Sequence, residues 1–356
     1  MSDSLIDCDT HFWQPFEVWE SHVDRRRKDA VATWLDDHDP YKTLDPEVTA
    51  VLRKRMLENP ADDPKARLEW LDSSNIGGNV IYPGSGLVSY SANPEVAAAA
   101  CRALNRWAAD FADTDRSRLK PCMSLPWRFP DLVIEELRYA REELGLGIIF
   151  AAPTPDPKRR WSDPALDPVW AEIESSQTVM TFHEFTRLEQ DAPLVARETY
   201  QDSYALSYVC GHCVEAQLSL LDIIGGGVLE RFPDLQLGIV EAHTAWLPGW
   251  LALLDGLWPR ISTGFKTASG TGSLPLTPTE YFRRQCFIVS FPDDAWVEET
   301  VKYVGERNVM LCTDYPHPQE RDAPVETLDE HAPGLTPQAR SMVLRENAMR
   351  VFGFGA

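Results

Sequence analysis

Five acidic or histidine residues lie at the ends of apolar, strand-like runs and could together bind a metal ion. Asp9 and His11 are near the start of the chain, His183 is in the middle, His243 follows later and Asp314 is near the end. Carboxylate oxygens and imidazole nitrogens suit zinc, iron or manganese, and these ligands alone do not distinguish the three metals. Because the strand ends of a barrel converge at one mouth, this pattern predicts a metal site assembled there.

Each of these residues also has a simpler interpretation. Asp9 could cap a turn while His11 lies in a surface loop. A single histidine at a strand end, such as His183, is often a hydrogen-bonded core residue. Glu241 precedes His243 by two residues, so the period of a strand predicts that both face the same side. The shared position at strand ends is what favours the metal site over the separate structural roles.

Eight short runs rich in apolar and β-branched residues recur along the chain, with stretches long enough for amphipathic helices between them. The runs are 5–9, 78–82, 119–124, 147–151, 178–183, 236–243, 286–290 and 309–313. Eight strands alternating with helices predict an α/β fold of the (β/α)₈ TIM-barrel type. A doubly wound sheet is the alternative, but it requires a glycine-rich phosphate turn after an early strand. The glycine run 225–227 lies in a helix-like stretch instead, where we expect it to end one helix and begin another.

The length of 356 residues exceeds the roughly 250 of a minimal barrel. We therefore expect a single domain spanning 1–356, with loop and helical insertions over the C-terminal mouth at about 12–66, 153–167 and 263–278. Aromatic and histidine side chains near these insertions and near the last strand are candidates for the substrate pocket. These candidates are Trp13, Trp127, Tyr315 and His317.

The amino-acid composition limits which partners and which cellular location we expect for the protein. The formal net charge of -21 argues against nucleic acid or an anionic membrane, both of which need a basic surface. No apolar run reaches the roughly 18 residues of a membrane span, and the start lacks a basic segment followed by an apolar one, so we expect a cytoplasmic protein. The seven cysteines suggest reduced thiols. The segment Cys210-Gly-His-Cys213 lacks the second pair of a structural zinc site, so we expect it to pack a helix.

Four segments together resemble the amidohydrolase superfamily, in its aminocarboxymuconate-semialdehyde decarboxylase-like branch. They are 6–11 (IDCDTH), 228–237 (VLERFPDLQL), 241–248 (EAHTAWLP) and 312–317 (CTDYPH). The resemblance runs from the first strand to the eighth and implies a metal-dependent barrel enzyme. It assigns the first-strand pair to Asp9 and His11, the fifth-strand ligand to His183, the sixth-strand histidine to His243 and the eighth-strand aspartate to Asp314. Many members carry histidine where this chain has Asp9.

The resemblance also bears on the number of ions. Dinuclear members of the superfamily use a carboxylated lysine at the end of the fourth strand, and this chain has no lysine there. We therefore expect one divalent transition metal ion, which could be zinc, iron or manganese. A second ion stays open if His243 joins with a carboxylate such as Glu241 or Glu184.

Two reactions fit the predicted site. The first is hydrolysis of an amide, ester, lactone or thioester by a metal-activated water, with Asp314 or His243 moving the proton. The alternative is nonoxidative decarboxylation of an aromatic or unsaturated carboxylic acid, with Asp314 or His243 protonating the carbon. We expect the hydrolase, acting on a small molecule as a homodimer. A non-catalytic ligand-binding barrel is the third interpretation, and the intact set of candidate ligands argues against it.

Overall fold

A computed structural model describes residues 4–13, 21–37, 54, 61–84, 90–156, 159–183, 204–261, 274–317 and 323–355. The strands are β1 Leu5–His11, β2 Ile76–Tyr82, β3 Leu119–Pro121, β4 Met123–Ser124, β5 Ile148–Ala151, β6 Val179–His183, β7 Leu237–Val240, β8 Cys286–Ser290 and β9 Val309–Leu311. They form a three-stranded sheet, β1-β2-β3, and a six-stranded sheet that runs in order from β4 to β9. Every pairing within the two sheets is parallel.

The two sheets close into one barrel. Cys122 interrupts the third predicted strand between β3 and β4, and its N–H donates to the carbonyl of Ile81 at 2.9 Å. At the other junction, the N–H of His11 donates to the carbonyl of Tyr315 at 2.7 Å and the N–H of Asp314 to that of Asp9 at 3.0 Å. Counting β3 and β4 as one strand gives eight parallel strands, which confirms the predicted (β/α)₈ fold.

The described helices surround the barrel and connect successive strands. They are α1 Lys28–Asp37, α2 Pro64–Ser73, α3 Pro94–Ala112, α4 Pro130–Glu142, α5 Asp167–Ser175, α6 Tyr204–Val209, α7 Glu215–Gly225, α8 Val228–Arg231, α9 Leu247–Ile261, α10 Pro278–Gln285, α11 Val297–Val304, α12 Pro324–His331, α13 Pro337–Ser341 and α14 Asn347–Phe352. A π-helical turn, Cys210–Val214, joins α6 to α7. As predicted for the glycine run, α7 ends at Gly225 and α8 begins after Gly227, which has φ +75°. No helix in the described part of the chain is long and apolar enough to cross a membrane.

The core has an inner and an outer layer. Cys8, Tyr82, Phe150, Val240 and Met310 belong to one buried cluster although they come from five different strands, so this cluster fills the lumen of the barrel. Side chains of alternate strand residues form a larger buried cluster with the helices outside. The mouths of the barrel are therefore separated by packed side chains, and each mouth can carry its own chemistry.

The proposed domain organisation stays a prediction. Residues 14–20, 38–53, 55–60 and 262–273 lie outside the described residues, and they make up much of the insertions expected at 12–66 and 263–278. Within the first insertion the structure describes α1 and the start of α2, and within 153–167 it describes a 3₁₀ turn at Pro164–Leu166.

Candidate metal centre

A bulge in β1 directs the first two candidate ligands into the site. The pairing register between β1 and β2 shifts between Asp7 and Thr10. Cys8 belongs to the lumen cluster, and its neighbour Asp9 reaches His183 across the barrel, so two consecutive residues point inward. A regular strand would have placed them on opposite faces. Bulges of this kind re-aim side chains near active sites, and here the bulge lets Cys8 fill the lumen while Asp9 and His11, two residues apart, both face the site.

Four buried side chains converge at the C-terminal mouth. The Oδ1 atom of Asp9 lies 3.3 Å from Nε2 of His11 and 3.4 Å from Nε2 of His183. The same nitrogen of His183 lies 3.3 Å from Oε2 of Glu241. One potential ligand atom from each of these four residues lies within 4.8 Å of the others. Three strands, β1, β6 and β7, thus deliver ligand atoms at spacings that one ion could bridge.

Asp314 and His317 adjoin this group through His11. Oδ1 of Asp314 lies 3.2 Å from Nε2 of His11 and 2.6 Å from Nδ1 of His317. The imidazole of His317 stacks on that of His11 with ring centroids 4.2 Å apart. His11, Asp314 and His317 therefore form a second set of three candidate ligands that shares His11 with the first.

Several polar atoms of this centre lack hydrogen-bond partners among the described residues. Neither carboxylate oxygen of Asp9 accepts a hydrogen bond, and Oδ2 of Asp314 and Nε2 of His11 have none either. Asp9 and Asp314 are fully buried. A buried carboxylate needs hydrogen bonds as well as a counter-charge, so buried carboxylate oxygens that accept none are well placed to coordinate a metal. The oxygen and nitrogen donors present here fit a divalent transition metal ion.

The charges in the centre shift one another strongly. Burial by itself would lower the pKa of His11, but the carboxylates of Asp9 and Asp314 outweigh burial and raise this pKa to about 10. Burial would raise the pKa of Asp9, yet the charges of His183 and His11 lower it overall. The pKa of Asp314 is likewise held well below its usual range, because His317 and His11 overcome the effect of burial. Without a metal, the centre is a network of carboxylates neutralised by protonated imidazole.

Two buried side chains behind the centre fix the strand ends. Asp7 accepts hydrogen bonds from Oγ1 and N–H of Thr313, at 2.6 Å and 3.0 Å, and so ties β1 to the segment that carries Asp314. Burial raises the pKa of Asp7 to about 7. Arg67 donates to the carbonyl of His11 at 2.5 Å, and its guanidinium carbon lies 4.7 Å from the ring centroid of Tyr315. The residues that hold the ligands are therefore themselves locked by packing and hydrogen bonds.

Sequence reasoning placed His243 in the centre, but His243 belongs to neither group of candidate ligands among the described residues. Its side chain is 39% exposed, and its Nδ1 lies 4.0 Å from Oδ2 of Asp294. Its ring packs on Phe291 with centroids 5.1 Å apart. Glu241, expected only as an additional residue, takes the position beside His183. Glu184 lies outside the described residues.

Of the aromatic and histidine residues predicted to line the substrate pocket, some border the centre and one does not. Trp127 is fully buried, donates to the carbonyl of Phe150 at 3.3 Å and packs edge-to-face on Trp161, so it is a core residue and not a pocket wall. Trp13 lies beside His317, with ring centroids 5.5 Å apart. Tyr315 stacks on Trp70 at 3.8 Å, immediately behind Asp314. Trp13 and His317 are thus the predicted aromatic residues that border the centre directly.

Sequence reasoning missed His212. Its Nε2 lies 3.1 Å from Oε1 of Glu241, so Glu241 bridges His212 and His183. Nδ1 of His212 lies 2.8 Å from the carbonyl of Tyr208, which can only accept, so Nδ1 carries a proton. The residue sits in the π-helical turn between α6 and α7, and π-turns concentrate at functional sites. The sequence showed this segment only as a candidate for helix packing, and the thiol of Cys213 does contact the carbonyl of Ala242.

A parallel eight-stranded barrel with buried carboxylate and histidine side chains at the C-terminal strand ends defines the class of metal-dependent barrel enzymes. A family model described as amidohydrolase matches residues 6–354. The chain belongs to this family, which confirms the predicted superfamily and the expectation of an enzyme.

Three similar proteins illustrate the relationship. The 2-amino-3-carboxymuconate-6-semialdehyde decarboxylase of Dictyostelium discoideum is 25% identical over 301 residues, which cover 84% of this chain and 79% of that protein. A crystal structure of 5-carboxyvanillate decarboxylase from Sphingomonas paucimobilis superposes with a TM-score of 0.77 at 22% identity, covering 99% of both chains. Dihydroxybenzoic acid decarboxylase from Polaromonas sp. JS666, with bound manganese and the inhibitor 2-nitroresorcinol, superposes with a TM-score of 0.73 at 16% identity, covering 99% of this chain and 98% of that one.

These comparisons correct one expectation. The sequence led us to expect a hydrolase with decarboxylation as the alternative, whereas the named relatives are decarboxylases. The expectation of hydrolysis was wrong for a chemical reason, since one set of metal ligands serves both reactions. Either reaction needs a cation that holds the reacting group and an acid nearby, so the ligands alone could not decide between them.

Proposed function

We propose that this protein is a metal-dependent nonoxidative decarboxylase of an aromatic or unsaturated carboxylic acid. The observation that carries the proposal is the convergence of Asp9, His11 and His183 with Asp314 in one buried centre. The decarboxylase relatives support this choice of reaction. The substrate is a small molecule that enters the C-terminal mouth of the barrel.

The proposed metal ligands are Asp9, His11, His183 and Asp314, with Glu241 as an additional ligand or as the partner that orients His183. Manganese is the first candidate among zinc, iron and manganese, because the Polaromonas relative binds it. When bound, the divalent ion supplies positive charge that holds the substrate carboxylate with a neighbouring oxygen and stabilises the negative charge that develops as carbon dioxide leaves. The rigid surroundings of these ligands favour a fixed geometry.

The proton that replaces carbon dioxide is assigned to the imidazole of His317, which the carboxylate of Asp314 orients. The bond between the substrate carbon and its carboxylate breaks, the electron pair stays on the carbon, and that carbon takes one proton. Nδ1 of His317 and Oδ1 of Asp314 are 2.6 Å apart, so a proton shared between them lies at the edge of the centre. The side chain of His317 is 31% exposed, which allows the pair to recover its proton from solvent after each turnover.

Neighbouring aromatic surfaces suit a flat substrate. The indole of Trp13 and the stacked imidazoles of His317 and His11 offer ring faces next to the ligand atoms. Offset or edge-to-face contacts with such surfaces contribute about 0.5–1.5 kcal/mol per pair. These residues would orient an aromatic or conjugated acid with its carboxylate toward the metal.

The test is to load the protein with manganese and offer it dihydroxybenzoates, 5-carboxyvanillate and 2-amino-3-carboxymuconate semialdehyde. Trapped carbon dioxide and the decarboxylated product are quantified together, and a parallel set of esters, amides and lactones is assayed for released acid. We expect one carbon dioxide per product molecule and, in deuterium oxide, one deuterium on the carbon that lost the carboxylate. Chelated protein is the control. Acid release from the hydrolase set without any carbon dioxide would contradict the proposal.

A further inference from the structure

A cavity lies on the opposite face of the barrel from the metal centre. It has a volume of about 420 Å³ and is lined by Leu119, Ile148 and Val179, the first residues of β3, β5 and β6. The metal centre instead uses the last residues of its strands, such as His183. This cavity therefore opens at the N-terminal mouth, and its size falls in the range of small-molecule pockets.

Four cationic side chains line this cavity, which we call the basic cavity: Arg116, Lys120, Arg141 and Arg350. No aspartate or glutamate of the described residues lines it. The chain as a whole carries a net charge of -21, so the concentration of positive charge here is local. At physiological salt, screening acts over about 8 Å, and a ligand inside the cavity would respond mainly to these four cations.

Most of these cations lack a carboxylate partner. Within the described part of the chain, neither Lys120 nor Arg141 forms an ion pair, and Arg350 hydrogen-bonds only to the carbonyl of Arg307, at 2.9 Å. Arg116 pairs with the exposed Asp113 at 2.6 Å and also donates to the carbonyl of Leu144. The cavity thus gathers positive charge that the protein's own acidic groups leave largely uncompensated.

Two glycines make room for the guanidinium groups. Nη1 of Arg116 lies 3.0 Å from the position that a Cβ at residue 145 would occupy, and Nη1 of Arg141 lies 3.6 Å from the corresponding position at residue 147. Gly145 also has φ +71°, which favours glycine. The loop before β5 therefore lets two arginines lie close to the backbone at the cavity wall.

The electrostatics agree with this geometry. Burial lowers the pKa of Lys120 and the charge of Arg116 lowers it further, while the charge of Asp115 opposes them in part. Burial and then the charge of Arg307 likewise lower the pKa of Arg350. Like charges held together in this way destabilise one another, and an anion bound between them would relieve that repulsion.

We propose that the basic cavity binds a small polyanion bearing two or more phosphate or carboxylate groups, at a site separate from the metal centre. The guanidinium groups of arginine bind phosphate and carboxylate groups through two parallel hydrogen bonds, and the half-buried Lys120 adds a further positive charge. The ligand would connect α14, the loop before β5 and the start of β3. Because it would bind the folded state, it would also stabilise the fold by mass action.

The test is isothermal titration of the metal-loaded, full-length protein with fructose 1,6-bisphosphate and, separately, with tricarballylate, at ionic strength matched with sodium chloride. The two probes distinguish phosphate from carboxylate as the bound group. The metal content is measured after each titration, so that loss of metal is not mistaken for binding. We expect one site per chain for at least one probe, together with a rise in Tm that sodium chloride does not produce.

The variant Lys120→Gln/Arg141→Gln removes two cations from the cavity, and Arg25→Gln/Arg26→Gln removes two exposed cations elsewhere with the same change in net charge. We expect the first to weaken binding at least tenfold, equivalent to about 1.4 kcal/mol, and the second to change it less than twofold. Should the first variant fold poorly, Arg350→Gln at an exposed position replaces it. Absence of binding by both probes, or equal affinity in the cavity and control variants, would overturn the proposal. Equal affinity in both would place the anion at the metal centre or on the general surface instead.

Discussion

In the metal-free protein, His11 lies between two carboxylates and holds a proton that a bound cation must displace. Nε2 of His11 is 3.3 Å from Asp9 and 3.2 Å from Asp314, and the pKa of this imidazole rises to about 10. At pH 7 the group is about three units below that pKa, so removing its proton costs about 4 kcal/mol at 1.36 kcal/mol per unit. Because metal ligation requires the neutral ring, the apparent association constant for manganese should rise about tenfold per pH unit until the pH approaches 10.

The assay is competition with a fluorescent chelator at pH 6.5, 7.5 and 8.5, corrected for protonation of the chelator. We expect an increase of about a hundredfold across these two units. In His11→Gln the affinity should be lower and the slope much flatter, because the displaced proton is gone. His22→Gln removes a histidine that pairs with the exposed Asp110, and it should keep the wild-type slope. A flat wild-type profile, or an unchanged slope in His11→Gln, would refute the reasoning.

The same pKa shift has a consequence for the stability of the metal-free fold. A histidine whose pKa is raised on folding stabilises the native state fully below its unfolded pKa of about 6.5, and this stabilisation is lost as the pH rises toward about 10. The Tm of the metal-free protein should therefore fall over this window, and it should fall less in His11→Gln. Bound metal should remove most of this dependence, because it replaces the proton.

Three further variants separate the roles in the centre. Glu241→Gln should weaken manganese binding tenfold to a hundredfold in chelator competition, because the neutral amide no longer balances the two imidazoles that Glu241 bridges. The control variant is Glu230→Gln, whose side chain is partly exposed on α8, and it should leave manganese affinity unchanged. Asp314→Asn should abolish carbon dioxide release while the circular dichroism spectrum stays native, since an amide binds the metal more weakly and no longer holds the proton on Nδ1 of His317. Turnover near the wild-type rate would exclude both roles for Asp314. Arg67→Met should leave the carbonyls of His11 and Ala61 without this donor and lower the free energy of unfolding, measured in urea, by about 1–3 kcal/mol for each carbonyl. An unchanged urea midpoint would mean that other donors or water compensate.

The architecture followed from the sequence because its signals were local. Eight apolar runs separated by helical stretches predicted the barrel, and the observed strands fall within or close to those runs. The glycine run at 225–227 likewise marked a helix boundary that depends on one left-handed residue. The break at Cys122 between β3 and β4 was not visible, because it depends on how the third strand pairs with β2 on one side and β5 on the other.

His212 shows a different limit of sequence reasoning. Its contact with Glu241 joins two residues that are 29 positions apart, and it depends on a π-helical turn that shifts the helix phase by one residue. A regular helix through this segment would present a different face to β7. The hydrophobic pattern cannot reveal such a turn, so a histidine between two cysteines looked like part of a packing surface.

Glu241, and not the predicted His243, lies beside His183 because of the backbone conformation at the end of β7. The period of two predicted that Glu241 and His243 face the same side, but both residues adopt left-handed conformations, with φ +58° and +55°, just after β7. The alternation therefore ends at Val240, and the side chains diverge, so that Glu241 reaches His183 while His243 turns to Asp294. Asp314, with φ +69°, leaves β9 in the same way. Non-glycine residues in this region cost of order 1–3 kcal/mol each and persist where the surroundings impose them, commonly at functional sites. Two of these three residues, Glu241 and Asp314, carry side chains of the candidate centre, so the strain coincides with the positions where the chain turns those side chains toward the other candidate ligands.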